Sequence, residues 1–125
     1  MLTNLCSKGI YDHLDGGISR YAVDEKWIIP HFEKMLYDNI QFIDLLTKFY
    51  QNTKNNYFKD KLLQTIHYFN NDFKNNEKLY GSAYDADSEG VEGKYYVWSY
   101  EELKNLLKED IKLLENKFEI SESGN

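Results

Sequence analysis

The sequence predicts a mainly α-helical chain of antiparallel helical hairpins, with a β-hairpin inserted after the second long helix. Three observations predict it. Two stretches carry apolar residues at helical spacing and are joined by a short polar connector; a tyrosine-rich segment punctuated by glycines follows them; and a Ser-x-x-Glu pattern opens another helix. At 125 residues the chain is one domain at most.

Residues 9–33 form a loop with turn chemistry at Asp15, Gly16 and Gly17 and the only proline, Pro30, close to the first long helix. That helix spans about 34–51. Leu36, Ile40, Ile43 and Tyr50 recur beside a second stripe of Met35, Phe42, Leu45 and Phe49, a wide apolar arc that predicts burial on more than one side. The polar run 52–56 marks a turn. Over about 57–73, Phe58, Leu62, Ile66, Phe69 and Phe73 share one face, with Lys59, Lys61, Gln64, Asn70 and Asn71 turned away, as in a half-exposed helix packed antiparallel to the first. After the polar run 74–78, Gly81, Gly90 and Gly93 punctuate a β-hairpin over 79–98. Ser99 and Glu102 then form a capping box at the head of a helix over about 99–109, with Leu103, Leu106 and Leu107 on its apolar side, and further helical turns follow over 111–118. Two antiparallel helices separate segments 9–33 and 79–98, so both are expected at the same end of the pair.

Composition narrows the function classes. Hydrophobic residues at 42% and aromatics at 16% exclude a disordered chain. The net charge of −6, with lysines scattered among Asn and Glu, argues against a nucleic-acid or anionic-membrane surface. The single cysteine, Cys6, excludes an internal disulfide and reads as a small buried apolar residue. With no basic start followed by an apolar run and no stretch long enough to span a bilayer, a soluble, cytoplasmic protein is expected.

The chemistry concentrates in the two segments expected at one end. His13, Arg20, Asp24, Glu25, His31 and Glu33 are interleaved with Tyr11, Tyr21, Trp27 and Phe32. Flat rings cover the apolar faces of a pyranose while charged groups bond its hydroxyls, so this mixture suits a sugar pocket. The same His and Arg side chains also serve to brace loops, and both uses stand. Asp85, Asp87 and Glu89 alternate, which on an extended chain puts them on one face at about 7 Å spacing. Crowded carboxylates raise the pKa of at least one member unless a cation sits nearby, a setting for acid/base work or hydroxyl binding; the alternative is a turn whose Asp and Ser side chains bond their own backbone. Residues 85–90 half-match a calcium loop but place Tyr96 where its bidentate Glu belongs, and His31-Phe32-Glu33 lacks the cysteines of a zinc deaminase. No metal and no other cofactor is expected.

The segments GIYDHLDGGISRYAVDEKWIIPHFEKMLYDN and GSAYDADSEGVEGKYYVW resemble the thioredoxin-domain-containing, N-acylglucosamine 2-epimerase-like family, the group that includes the spermatogenesis-associated thioredoxin-domain proteins. The resemblance runs from about Gly9 to Gly124 and Asn125, with departures at Lys8, Asp15, Ile18 and Tyr84. It implies an (α/α) toroid like that of six-hairpin glycosidases, of which this chain is a part, preceded in the parent protein by a thioredoxin-like domain that is a further expected partner. A twelve-helix toroid needs roughly 200 residues, and this chain supplies three or four helices. The motif positions carried over are His13, Arg20, Asp24, His31, Glu33, Asp85, Asp87 and Glu89. Catalytic roles are expected for His31, Asp85 and Asp87, and saccharide-binding roles for His13, Arg20, Asp24, Trp27, Glu33 and Glu89. Epimerisation beside a carbonyl would use His31 and Asp85 as base and acid on opposite faces. Hydrolysis would need a carboxylate from another segment about 5–9.5 Å from Asp85. The alternative is a non-catalytic saccharide- or protein-binding toroid.

Overall fold

A computed structural model describes residues 1–118 and 120–123; the Gly124–Asn125 end of the family resemblance lies outside the described residues. The chain begins with a short helix, α1 (Leu2–Ser7), and a long loop leads to strand β1 (Lys34–Met35). Helices α2 (Leu36–Thr53) and α3 (Asn56–Asn71) follow, then strands β2 (Ala83–Tyr84), β3 (Asp87–Ser88) and β4 (Val91–Glu92). Helix α4 (Tyr100–Leu107), a 3-10 turn (Lys108–Asp110) and α5 (Ile111–Glu115) complete the described elements. The mainly α class predicted from the sequence holds, and no helix among the described residues is long and apolar enough to cross a membrane.

The long helices start and stop for identifiable reasons. Helix α2 ends where Lys54 adopts a left-handed conformation at φ 55° and returns its N–H to the carbonyl of Tyr50. Asn55 then caps α3 by accepting from the N–H of Tyr57. This two-residue connection forces the helices antiparallel. The capping box of Ser99 and Glu102 opens α4 as the sequence predicts.

Two boundaries differ from the sequence prediction. Lys34 does not open the first long helix: Lys34 and Met35 are extended and pair antiparallel with Tyr84 and Ala83. Met35 makes no side-chain cap bond, and the freed N–H of Leu36 donates instead to the carbonyl of Ser82 at 2.9 Å, so the strand beside the helix supplies the missing acceptor. The β-hairpin expected over 79–98 is likewise divided. Its first strand pairs back across the molecule with β1, and only β3 and β4 form a local hairpin, closed by Glu89 and Gly90 at φ 54° and 76°. Past β4 the chain turns on itself, with the N–H groups of Tyr96 and Val97 both donating to the carbonyl of Gly93, which ends the ladder.

The wide apolar arc of α2 is buried on one side only. Asn39, Phe42 and Leu46 face the core, while Tyr37, Ile40 and Leu45 remain exposed. Phe42 and Leu46 meet Phe58 and Leu62 of α3, and Cys6, Tyr11 and Ile18 close this cluster from the N-terminal side. A second cluster of Tyr68, Phe69 and Phe73, with Leu36 against it, lies at the other end of α3. The polar flank of α3 is also covered where the sequence left it to solvent. Tyr11 donates its hydroxyl to Oε1 of Gln64 at 2.9 Å and lies under the ammonium of Lys61, 4.0 Å from the ring centroid.

Residues 9–33 are held against the helices by two polar clamps. Asn39, fully buried on α2, accepts the N–H of Ile18 at 2.7 Å and donates to the carbonyls of Ile18 at 2.8 Å and Met35 at 3.0 Å. Lys34, 1% exposed, donates to Oδ2 of Asp12 at 2.7 Å and to the carbonyl of Gly16 at 3.1 Å. The loop could not approach this closely with larger residues at its contact points. A Cβ on Gly9 would stand 1.8 Å from the carbonyl oxygen of Ile28, and Gly17, at φ 81°, would meet Oδ1 of Asn39 at 3.0 Å.

Asn39→Ala is expected to lower unfolding free energy by about 3 kcal/mol, because it orphans a buried N–H and a buried carbonyl of the loop; urea unfolding of the two chains gives the difference. Asp12→Asn is expected to cost about 3 kcal/mol or more, since it leaves the Lys34 ammonium buried without its counter-charge. Burial pushes the Asp12 carboxyl upward, but the charge and hydrogen bond of Lys34, with the N–H groups of Asp15 and Leu14, outweigh it and hold the pKa below the ordinary 3.8. A carboxylate depressed in the folded state contributes stability above its unfolded pKa and loses it as pH falls through the folded value. The urea midpoint of the parent chain should therefore drop as pH is taken below about 4, and Asp12→Asn should flatten that acid limb.

Candidate functional site

Three segments distant in sequence meet at the Tyr68 end of the helix pair. Strand β1 places the loop 9–33 beside β2, and the ring of Phe32 stacks on Tyr96 with centroids 5.8 Å apart. Phe32 itself sits at φ 68°, and its ring occupies the space a Cβ on Gly93 would need, 2.7 Å away. The segments expected at one end are therefore together, joined through backbone pairing and ring stacking.

Between them lies a cavity of about 320 Å³. Asp15 reaches it from the loop, Tyr68 and Asp72 from the end of α3, and Tyr84, Asp85, Asp87, Ser88, Tyr95 and Tyr96 from the strands and the turn after them. Tyr84 anchors its wall by donating its hydroxyl to the carbonyl of Asp72 at 2.6 Å and by packing edge-on against Phe73. Asp85 accepts the backbone N–H of Asp87 at 3.2 Å through Oδ1, the local turn named as the alternative in the sequence, which orients the Asp85 carboxylate. Behind the wall, the Lys34 ammonium sits 4.0 Å from the centroid of Tyr68 and 5.3 Å from that of Tyr96. Burial, with the charge of Asp12 beside it, pushes the Tyr96 phenol up to about 12, and burial raises Tyr68 as well, so both rings present protonated hydroxyls at neutral pH. Burial pulls Lys34 below the ordinary lysine value against the opposing pull of Asp12.

Of the residues singled out from the sequence, Asp85 and Asp87 line this cavity. His31 does not. Its ring stacks on Tyr21 at 4.5 Å, and Nε2 lies 4.0 Å from Oε1 of Glu92. Glu92 in turn stands directly across the ladder from Asp87, so His31 is one side chain removed from the cavity wall. Arg20 pairs with Glu33 at 3.1 Å rather than with the cavity carboxylates. Asp24 closes its own loop, accepting from the N–H groups of Ile29, Ile28 and Lys26, and these bonds hold its pKa below the usual carboxylate range. Trp27, at φ 61°, lies within that turn. His13 bonds the carbonyl of Lys8 at 3.1 Å and packs against Tyr11 and Phe118. Glu89 occupies the hairpin tip and pairs with Lys94. Glu33 and Asp24 thus sit where a loop-bracing role uses them.

The cavity residues not expected as site residues from the sequence are Asp15, Tyr68, Asp72, Tyr84, Ser88, Tyr95 and Tyr96. Asp15 reads as turn chemistry, and Tyr68 falls between the apolar positions of α3. Asp72 held the one available signal: it caps α3 and therefore lies at the end of the helix to which the chain returns for β2.

No family model matches the chain. It is 34% identical over 140 residues to spermatogenesis-associated protein 20 of Mus musculus and of Rattus norvegicus, and 31% identical over 140 residues to the protein of that name from Homo sapiens. Each alignment takes in 99% of this chain and 18% of the relative. The chain thus spans under a fifth of the length of the curated relatives it matches, and the similarity is consistent with a fragment of that family.

Proposed function

We propose that this chain forms one wall of a saccharide-binding cleft in a carbohydrate-active (α/α) toroid, whose parent protein also carries a thioredoxin-like domain. The observation that carries this reading is the lining of the 320 Å³ cavity: four tyrosines, four aspartates and Ser88. A pyranose has apolar C–H faces and a rim of hydroxyls, and needs flat rings for the first and fixed acceptors for the second. Tyr84 and Tyr95 stand at the exposed rim where a sugar ring would enter, and Tyr68 and Tyr96 lie deeper, with protonated phenols to donate.

Acid/base chemistry at this cleft would fall to Asp85 or Asp87 working with a carboxylate from another segment. Asp15 and Asp72 are the two candidates on the same cavity, which meets the requirement that the partner not be a neighbour on the same strand edge. For proton transfer beside a carbonyl, a carboxylate would take the proton and a neutral tyrosine hydroxyl would support the oxygen on which charge develops. His31 would act through Glu92 as a positioning residue. A non-catalytic saccharide-binding wall is the second reading, favoured by the position of His31 against Glu92 rather than in the cavity.

Binding is tested by titrating the chain with pyranoses while recording backbone amide spectra. Shifts confined to residues 68–96 and Asp15 are expected, and Tyr84→Ala and Tyr95→Ala should each weaken binding about tenfold through loss of a ring face. Shifts absent from these residues, or centred on the turn at Asp24, would move the site elsewhere. Reducing sugars held at saturating concentration with the chain in heavy water test the chemistry: exchange beside the carbonyl that Asp85→Asn abolishes marks an enzyme, and binding without exchange marks the non-catalytic wall.

A further inference from the structure

We propose that a second cavity of this chain, formed by the loop 9–33 with Lys34 and Tyr96, binds a small uncharged compound that bears hydroxyl groups. The inference is independent of the saccharide reading, which concerns the cavity beside Tyr84 and Tyr95.

This second cavity has a volume of about 220 Å³, room for roughly seven waters at about 30 Å³ each. Asp12, Ser19, Pro30, Phe32, Lys34 and Tyr96 line it, and two of its polar residues are deeply buried, Lys34 at 1% exposure and Ser19 at 5%. The Ser19 hydroxyl is the observation that points to a ligand. The backbone N–H of Ser19 donates to the carbonyl of Ile10 at 2.9 Å, but its side chain makes no hydrogen bond among the described residues. Nδ1 of His31 and Oδ2 of Asp38 are unbonded too, yet they are sealed from the surface, whereas the Ser19 hydroxyl is not. A buried hydroxyl without a partner is costly, and one that opens on a cavity can find its partner there.

The rest of the lining sets the class of ligand. The Lys34 ammonium is balanced by Asp12 at 2.7 Å, and its other partners are the carbonyl of Gly16 and the face of Tyr68. An anionic ligand would compete with Asp12 for that ammonium and would meet the field of Asp15 and Asp72, which also act on Lys34. A cationic ligand would compete with Lys34 for Asp12. An uncharged group leaves the pair intact. Oδ2 of Asp12 takes only the Lys34 bond and keeps a lone pair for a donor, while the Ser19 hydroxyl gives or accepts a bond. A ligand hydroxyl answers both through one atom, and a carbonyl brings no donor. Pro30 and the stacked rings of Phe32 and Tyr96 supply the apolar wall against which C–H groups pack. Phe32 holds its ring in that wall from φ 68°, a strained conformation for a bulky residue.

The test uses three-carbon probes that share a hydroxyl on the middle carbon and differ at one end: propane-1,2-diol, lactate and 1-amino-2-propanol. Each is titrated into the chain while backbone amide spectra are recorded. The diol is expected to shift Ser19, Phe32 and Tyr96, with an affinity at least about tenfold above those of lactate and the amine, and Ser19→Ala should weaken it about tenfold. Without ligand, Ser19→Ala should leave the urea midpoint unchanged or raised, because the hydroxyl it removes is unbonded. A lowered midpoint would place that hydroxyl in the fold's own bonding and overturn the site. Equal or tighter binding of lactate or the amine overturns the uncharged class, and shifts at none of the three residues overturn the inference outright. Shifts at Tyr84 and Asp85 alone sink this inference and leave the saccharide reading standing.

Discussion

The buried ion pair of Lys34 and Asp12 is the contact on which the arrangement of this chain depends. An ammonium that is 1% exposed can remain charged only if it is fully coordinated, and here a carboxylate, a backbone carbonyl and two tyrosine faces surround it. Those partners belong to different parts of the chain: Asp12 and Gly16 to the N-terminal loop, Tyr68 to α3, Tyr96 to the turn after β4. Satisfying one side chain therefore gathers three segments to one point. The strand geometry of Lys34 follows from the same demand. An extended residue at this position pairs with Tyr84 and brings β2 alongside, which a helical residue could not do.

The cavity is a consequence of that convergence. Its rings stand on elements already fixed by the core, Tyr68 by the cluster with Phe69 and Phe73, and Tyr96 by Phe32, so two of its walls are set before any ligand arrives. Its carboxylates sit at a loop, a helix end and the strands, and the Asp85 carboxylate is oriented by the N–H of Asp87. The four aspartates themselves are exposed, and the Lys34 ammonium behind the Tyr68 wall acts on Asp15 and Asp72 as well as on Asp12. The loop residues that looked equally suited to binding are spent on structure. Asp24 satisfies three backbone N–H groups in a turn with few other acceptors, and Arg20 and Glu33 neutralise one another.

Much of the helical framework is legible from residue spacing alone. The period of Phe58, Leu62, Phe69 and Phe73, the polar connector at Lys54 and Asn55, and the box at Ser99 and Glu102 are local signals that the folded chain reproduces. The two-residue strand β1 was not legible, because so short a strand has no period and its partner lies about fifty residues away. The candidate site was legible in part. Asp85 and Asp87 stand out through their alternation, whereas Tyr68 lies off the apolar stripe of its helix and Asp72 within the stretch expected to be helical, so neither stands out.

The sequence by itself determined the two long helices, the capped helix α4 and the return of the loop 9–33 and the Tyr-rich segment to the same end, while the short helix α1 carried no sequence signal. These follow from side-chain periodicity, capping and the short connection between antiparallel helices, all of which act within a few residues. Tertiary structure alone decided which polar residues face the cavity and which brace the loops. An Asp, Arg or His can satisfy its hydrogen bonds locally or across a space, and the choice depends on which acceptors and donors packing brings within about 3 Å. Lys34 shows the limit most plainly. Its residue type and position at the head of an expected helix carry no sign of burial, and only in the folded chain do a loop carboxylate and two rings from distant segments close around it.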